Sequence, residues 1–318
     1  MNINKFFKIP LIFIIGIIAG LVISNLFIFS DKVENVKDPQ LEESNIINEI
    51  LPYVAFQPSV PAELTFCGEN VPLEYFDVYE ALDFELIVNT YRHSSTIIYI
   101  KRARRYFPEI EKMLAEHGIP DDMKYLCVAE SGLTNAISPS GATGFWQFMK
   151  STAGEYNLTV NNNIDERYNH KKSLIAATEY LKKAYKKFGT WSLAAASYNM
   201  GSSGLQKVID KQKVDSYWDL DLNSETARYV YRILALKVIM NDPELYGFNI
   251  PEENLYNEFD TYEITVDSTV NDLVQFAFEH GTNYKMLKHF NPWLRDTKLN
   301  NTEKKEYVIT LPRKRIRK

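Results

Sequence analysis

The stretch Met123-Lys124-Tyr125-Leu126-Cys127-Val128-Ala129-Glu130-Ser131-Gly132 decides how this chain is read. It predicts an apolar helix over Met123–Ser131 with a carboxylate in its last turn, stopped at once by Gly132. Asp121 and Asp122, just ahead of it, suit the positive end of a helix, whereas Glu130 falls at the negative end. The helix end and the apolar surroundings both disfavour an ionised carboxylate and raise its pKa. A carboxyl group still protonated near neutral pH can act as general acid towards a glycosidic oxygen. A solvent-facing glutamate at a helix end would carry the same local signature, so the rest of the chain has to decide.

Outward from this helix, nearly every segment between Pro72 and Gly247 has a helical pattern. Residues 77–105 are long and amphipathic with a break near His93-Ser94-Ser95, and residues 106–117 form a second helix stopped by Gly118 and Pro120. Leu174, Ala177, Leu181, Ala184 and Phe188 make one stripe over residues 173–188, closed by Gly189. A short helix follows over 191–200, and another helix runs over 225–240. No strand is expected in this region, so the domain reads as α-helical. The C-terminal part differs: 262–266 and 307–311 alternate like strands around helices at 270–280 and 284–290, a β-α-α-β unit. The basic end, Arg313 to Lys318, reads as a solvated tail.

The N-terminus reads as an anchor. Lys5 and Lys8 precede residues 9–29, which run 21 residues without a charge, about the length that crosses a bilayer. A cleaved signal would have a shorter apolar region and a small-residue cleavage site, and no cysteine follows for a lipid anchor. Lysines before the span and Asp31, Glu34 and Asp38 after it put the bulk of the chain outside a single-pass inner membrane helix. The expected division is a transmembrane anchor at 1–30, an acidic, proline-bearing linker at 31–62, the helical domain at 63–250 and the C-terminal unit at 260–313.

Composition excludes several classes. A net charge of −5 gives no support to nucleic-acid binding. Two cysteines, Cys67 and Cys127, cannot build a disulfide scaffold or a four-cysteine zinc site, and Cys127 in its apolar run reads as an inert buried thiol. The five histidines show no metal-ligand spacing, so no metal and no cofactor are expected.

Three further motifs change the odds for Glu130. Ser138-Pro139-Ser140-Gly141-Ala142-Thr143-Gly144-Phe145-Trp146-Gln147-Phe148-Met149 is a glycine-punctuated turn entering an aromatic segment, in which Gln147 offers a donor and an acceptor to a sugar or its N-acetyl group. Ser197-Tyr198-Asn199 closes one helix, and Tyr229 sits on another within Glu225-Thr226-Ala227-Arg228-Tyr229-Val230. With these in place the chain resembles the lytic transglycosylases that carry a soluble-lytic-transglycosylase, goose-lysozyme-like domain, in particular their membrane-bound murein transglycosylase D type. Glu130-Ser131 matches the catalytic Glu-Ser pair, Gly144-Phe145-Trp146-Gln147 the Gly-Leu-Met-Gln motif, Ser197-Tyr198-Asn199 the Ala-Tyr-Asn motif, and Tyr229 the last motif tyrosine. Ser138 stands where the family has a serine near the catalytic site. Phe145-Trp146 in place of Leu-Met and Ser197 in place of Ala are departures expected to reshape sugar contacts. Residues 262–312 resemble a lysin motif, although Asp267-Ser268-Thr269 replaces the usual Gly-Asp-Thr and no Pro-Gly precedes the last strand.

The resemblance implies a lysozyme-like fold and peptidoglycan as substrate. It implies that Glu130 alone is catalytic, protonating the bond between N-acetylmuramic acid and N-acetylglucosamine and then deprotonating the muramyl 6-hydroxyl that closes onto C1. Ser131, Ser138, Gln147, Tyr198, Asn199 and Tyr229 would bind or orient the substrate. Two alternatives stay open: a hydrolytic muramidase using a second carboxylate such as Asp165, and a non-catalytic wall-binding anchor.

Overall fold

The computed structural model describes residues 55–314. The anchor expected at residues 1–30, most of the linker and the last four residues lie outside them. Among the described residues no helix is long and apolar enough to cross a membrane.

The helical part begins with a small antiparallel hairpin, β1 (Thr65–Phe66) and β2 (Glu69–Asn70). Eight helices follow: α1 (Phe76–Tyr91), α2 (His93–Glu116), α3 (Met123–Ser131), α4 (Lys150–Glu155), α5 (His170–Phe188), α6 (Trp191–Met200), α7 (Ser202–Gln212) and α8 (Ser224–Asn241). The C-terminal unit is β3 (Thr261–Val266), α9 (Leu273–Glu279), α10 (Tyr284–Phe290) and β4 (Tyr307–Pro312), with β3 and β4 antiparallel from Thr261↔Pro312 to Val266↔Tyr307. The chain is thus mainly helical with a small C-terminal strand unit.

The expected break in the long helix is present, at Arg92 just ahead of His93. One expectation is corrected: α2 continues to Glu116 through Pro108 instead of restarting at Tyr106. Ala103, Ile110 and Leu114 keep one buried stripe across the proline, so packing outweighs the backbone hydrogen bond that Pro108 cannot make. The hairpin, α4 and α7 were not foreseen.

α8 is the central helix. Val230, Ile233, Leu234, Ala235, Leu236 and Ile239 are buried where it packs on α1, α3 and α6. Its start is fixed by Asn223, whose side chain accepts the N–H groups of Glu225 and Thr226. The hairpin then fixes α6: Glu69 accepts the N–H of Trp191 at 2.5 Å and both the N–H and hydroxyl of Ser192 at 3.2 Å. A carboxylate at that end also meets the positive pole of the helix. On the other side Asp122 accepts the Cys67 N–H at 2.6 Å and pairs with Lys237 of α8 at 2.8 Å. The hairpin therefore ties together the starts of α3 and α6, the two helices whose far ends carry the Glu130 and Tyr198 motifs.

Candidate active site

Glu130 is half-buried in the last turn of α3, and Tyr229 of α8 donates its hydroxyl hydrogen to Glu130 Oε1. Burial pushes the Glu130 carboxyl up to about 7; the Tyr229 hydrogen bond and the Arg232 charge restrain that rise, while the Glu225 charge adds to it. Burial and the adjacent Glu130 push the Tyr229 hydroxyl well above its ordinary range, so it remains a donor.

The end of α3 depends on glycine. Gly132 adopts φ 59° and donates its N–H to Val128 O at 2.8 Å. A Cβ there would lie 2.3 Å from the Tyr99 ring, so neither the backbone angle nor the space admits a side chain. The Ser131 hydroxyl donates to Cys127 O and accepts the Thr134 N–H, both at 3.3 Å. It closes the turn behind Glu130. Cys127 itself is fully buried.

The next turn is built for shape. Ser138 accepts the Ala142 N–H at 3.0 Å on its side chain, while its own N–H donates to Ala142 O at 2.9 Å. Gly144 has φ 86°, and a Cβ on it would stand 2.0 Å from Arg167 O. Gln147 has φ 48° and spends its Nε2 on Ala136 O at 3.1 Å and Gly144 O at 2.7 Å. The Phe145 and Trp146 side chains are buried in the core, 5% and 1% exposed, which corrects the expectation that they reshape sugar contacts. They act through their carbonyls: Phe145 O accepts the Cys127 thiol at 3.5 Å, and Trp146 O accepts the Tyr198 hydroxyl at 2.8 Å. The motif is thereby bonded to both α3 and α6.

In the last turn of α6, Tyr198 packs edge-on against Tyr180 at 5.0 Å and Phe148 at 6.0 Å. Burial, then the nearby Glu130, push its hydroxyl well above the ordinary range. Asn199 bridges to α8, accepting the Thr226 hydroxyl at 2.8 Å and donating to Glu225 Oε1 at 3.4 Å. Beyond Tyr180 a cleft of about 730 Å³ is lined by Tyr156, Lys183, Lys187 and Met200.

Glu130, Tyr229, Tyr198, Asn199 and Gln147 are thus linked through one set of helix ends and one turn. Ser131 closes the end of α3 behind Glu130, and Ser138 lies on the outer limb of the glycine turn with no bond to Glu130. Asp165 has a different environment. It is buried, with its carboxylate against Arg167 at 3.0 Å (Nε) and 2.7 Å (Nη2). Sequence reasoning missed Arg232 and the charge effect of Glu225. Both were readable, because Glu225, Tyr229 and Arg232 are spaced four and three residues apart, which puts them on one helix face. Glu85 was also missed: it is 1% exposed on α1 and accepts Arg228 Nε at 2.6 Å beside Arg232. Among the described residues no cluster of metal-ligating side chains forms.

Two stretches of the chain match known family models. Residues 108–220 match the Transglycosylase SLT domain, and residues 262–315 match the Soluble lytic transglycosylase C-terminal LysM-like domain. The chain is homologous to the membrane-bound lytic murein transglycosylase D of Escherichia coli strain K12, at 29% identity over 216 residues, 66% of this chain and 46% of that protein. The protein of the same name from Escherichia coli O6:H1 strain CFT073 aligns with the same figures. The chain therefore spans less than half the length of these curated relatives.

Proposed function

We propose that the chain is a peptidoglycan lytic transglycosylase in which Glu130 serves as both acid and base. The observation that carries this reading is the Glu130 carboxyl, raised to about 7 by burial and oriented by Tyr229. Such a group is substantially protonated at neutral pH and can give its proton to the oxygen between N-acetylmuramic acid and N-acetylglucosamine. The C1–O bond breaks, and the muramyl 6-hydroxyl attacks C1. The Glu130 carboxylate then takes the hydroxyl proton, leaving a 1,6-anhydromuramic end and a restored acid. A nucleophile on the same sugar needs no separate activation of water, since intramolecular attack reaches effective molarities of about 10⁵ M or more.

In this reading Tyr229 and Tyr198 orient Glu130 and the sugar, Gln147 and Asn199 meet N-acetyl or peptide groups, Ser138 steadies the reacting ring from the rim, and Ser131 holds the turn. Residues 9–29 anchor the chain in the inner membrane, with residues 63–250 as catalytic domain outside it. Against the hydrolytic alternative stands the Asp165 carboxylate, which is buried and paired with Arg167, a setting unfavourable for activating water. The test is Glu130→Gln, which keeps shape while removing the proton donor. Turnover of purified wall glycan should fall by at least about 10²–10⁴-fold, with glycan binding retained. A rate near wild type would mean the acid lies elsewhere.

A further inference from the structure

The C-terminal unit shares its core with the helical domain. Ile164 and Tyr168, from the segment before α5, are buried with Leu273, Trp293, Leu294 and Leu299 of the C-terminal unit. Ile164 pairs with Leu294 as an antiparallel bridge, the Asp165 N–H donates to Trp293 O at 2.9 Å, and the Arg295 N–H donates to Asn163 O at 2.9 Å. Asn163 receives the Asn300 N–H at 3.0 Å, and Arg295 lies over the Tyr168 ring at 4.4 Å. Backbone pairing, a shared apolar cluster and a stacked guanidinium are features of an integral packing contact rather than of a loosely tethered binding module.

The same segment reaches the candidate active site through Arg167. Asp165, held at its backbone by Trp293, grips Arg167 in a two-point ion pair. The remaining guanidinium nitrogen of Arg167, Nη1, donates to Gly141 O at 3.1 Å and Phe148 O at 3.2 Å, the two ends of the turn that presents Gln147. The Arg167 carbonyl, meanwhile, fills the space where Gly144 lacks a Cβ.

We propose that Arg167 is a positioning residue through which the C-terminal unit holds the Gly144–Phe148 turn in register with Glu130, so that this unit is part of the catalytic assembly. The proposal rests on the transglycosylase reading for its kinetic consequence and on packing alone for its docking consequence, and the two are tested separately. For docking, a protease site is inserted after Asn254 in the full chain and cut. The C-terminal fragment is expected to co-elute with the helical domain, and its release overturns the proposal.

For positioning, Arg167→Met and Arg167→Lys are compared with wild type on soluble glycan fragments. Arg167→Met is expected to lower kcat roughly 10- to 100-fold, the scale of a small misplacement of reacting groups. KM should stay within about threefold, and the pH at which activity falls should not move, because Glu130 keeps its neighbours. Arg167→Lys should recover part of the loss, since an ammonium can replace some of the guanidinium bonds. Where Arg167→Met does not fold, Ile164→Asp decides: a charge placed in the shared core should release the cut fragment and lower kcat over the same range. A folded Arg167→Met or a fragment-free Ile164→Asp protein at wild-type kcat overturns the proposal. An inactive wild type with the fragment still docked would sink the transglycosylase reading instead.

Discussion

Tyr229 donates its hydroxyl hydrogen to Glu130 from a position ninety-nine residues further along the chain. The bond joins the C-terminal turn of α3 to the central helix α8, and it opposes the effect of burial on the carboxyl. Arg232 acts in the same direction as Tyr229 and Glu225 in the same direction as burial, so the Tyr229 and Glu225 influences can each be removed by one substitution.

Tyr229→Phe removes the restraint. Without the hydrogen bond the Glu130 pKa rises above about 7, and because the proposed mechanism cleaves with the protonated form, the high-pH fall in kcat/KM should move to higher pH. The carboxyl also loses its orienting donor, so kcat should drop roughly tenfold or more. A pH–rate profile for both proteins checks the pair of effects, and a limb that moves to lower pH would contradict the account.

Glu225→Gln should do the opposite. Its negative charge helps hold Glu130 protonated, so neutralising it should move the same limb to lower pH. Glutamine still offers Asn199 an acceptor, and at low pH kcat should stay within a few-fold of wild type. A loss of about 10²–10⁴-fold would instead mark Glu225 as a catalytic base and favour hydrolysis.

The raised carboxyl has a stability consequence. A carboxyl whose folded pKa lies near 7, above its ordinary 4.5, binds its proton more tightly in the folded state. That contribution is fully present below pH 4.5 and is lost as pH rises through about 7. Glu130→Gln carries no such penalty, so above pH 7 it should be more stable than wild type by on the order of 2 kcal/mol. Denaturant unfolding at several pH values checks this, and the advantage should vanish below pH 4.5.

Two glycines separate backbone need from mere smallness. Gly144→Ala places a Cβ 2.0 Å from a carbonyl oxygen at φ 86° and should cost about 3 kcal/mol or more, with loss of turnover. Gly154→Ala, in α4 with nothing within 4 Å, should be neutral or stabilising by up to about 1 kcal/mol. Equal effects from both would mean that the turn has slack.

Much of this was legible in the chain itself. α3, α6 and α10 have the bounds that periodicity and their closing residues imply, because each ends at a strong local stop: Gly132, Gly201 and Asn291-Pro292. α4 was not legible, since six residues with no side-chain cap carry too little pattern. α7 was missed because Ser202-Ser203-Gly204 looks like a loop, although Leu205, Val208 and Ile209 follow at helical spacing. The Phe145-Trp146 pair misled for a different reason. Aromatic residues beside a candidate site suggest sugar contacts, but side-chain direction is set by the positive φ of the flanking Gly144 and Gln147 and by tertiary packing, which the motif spelling does not carry. Arg167 stood in plain view beside Asp165, yet its bonds reach Gly141 and Phe148 only in the folded chain.

The most direct test of Glu130 as sole acid and base is the mass of what the wild-type protein releases from purified wall sacculi. The account predicts muropeptides ending in 1,6-anhydromuramic acid, each lighter by one water than the corresponding hydrolysed fragment. Fragments carrying that water at a reducing end would contradict it, because they require a second group that activates water.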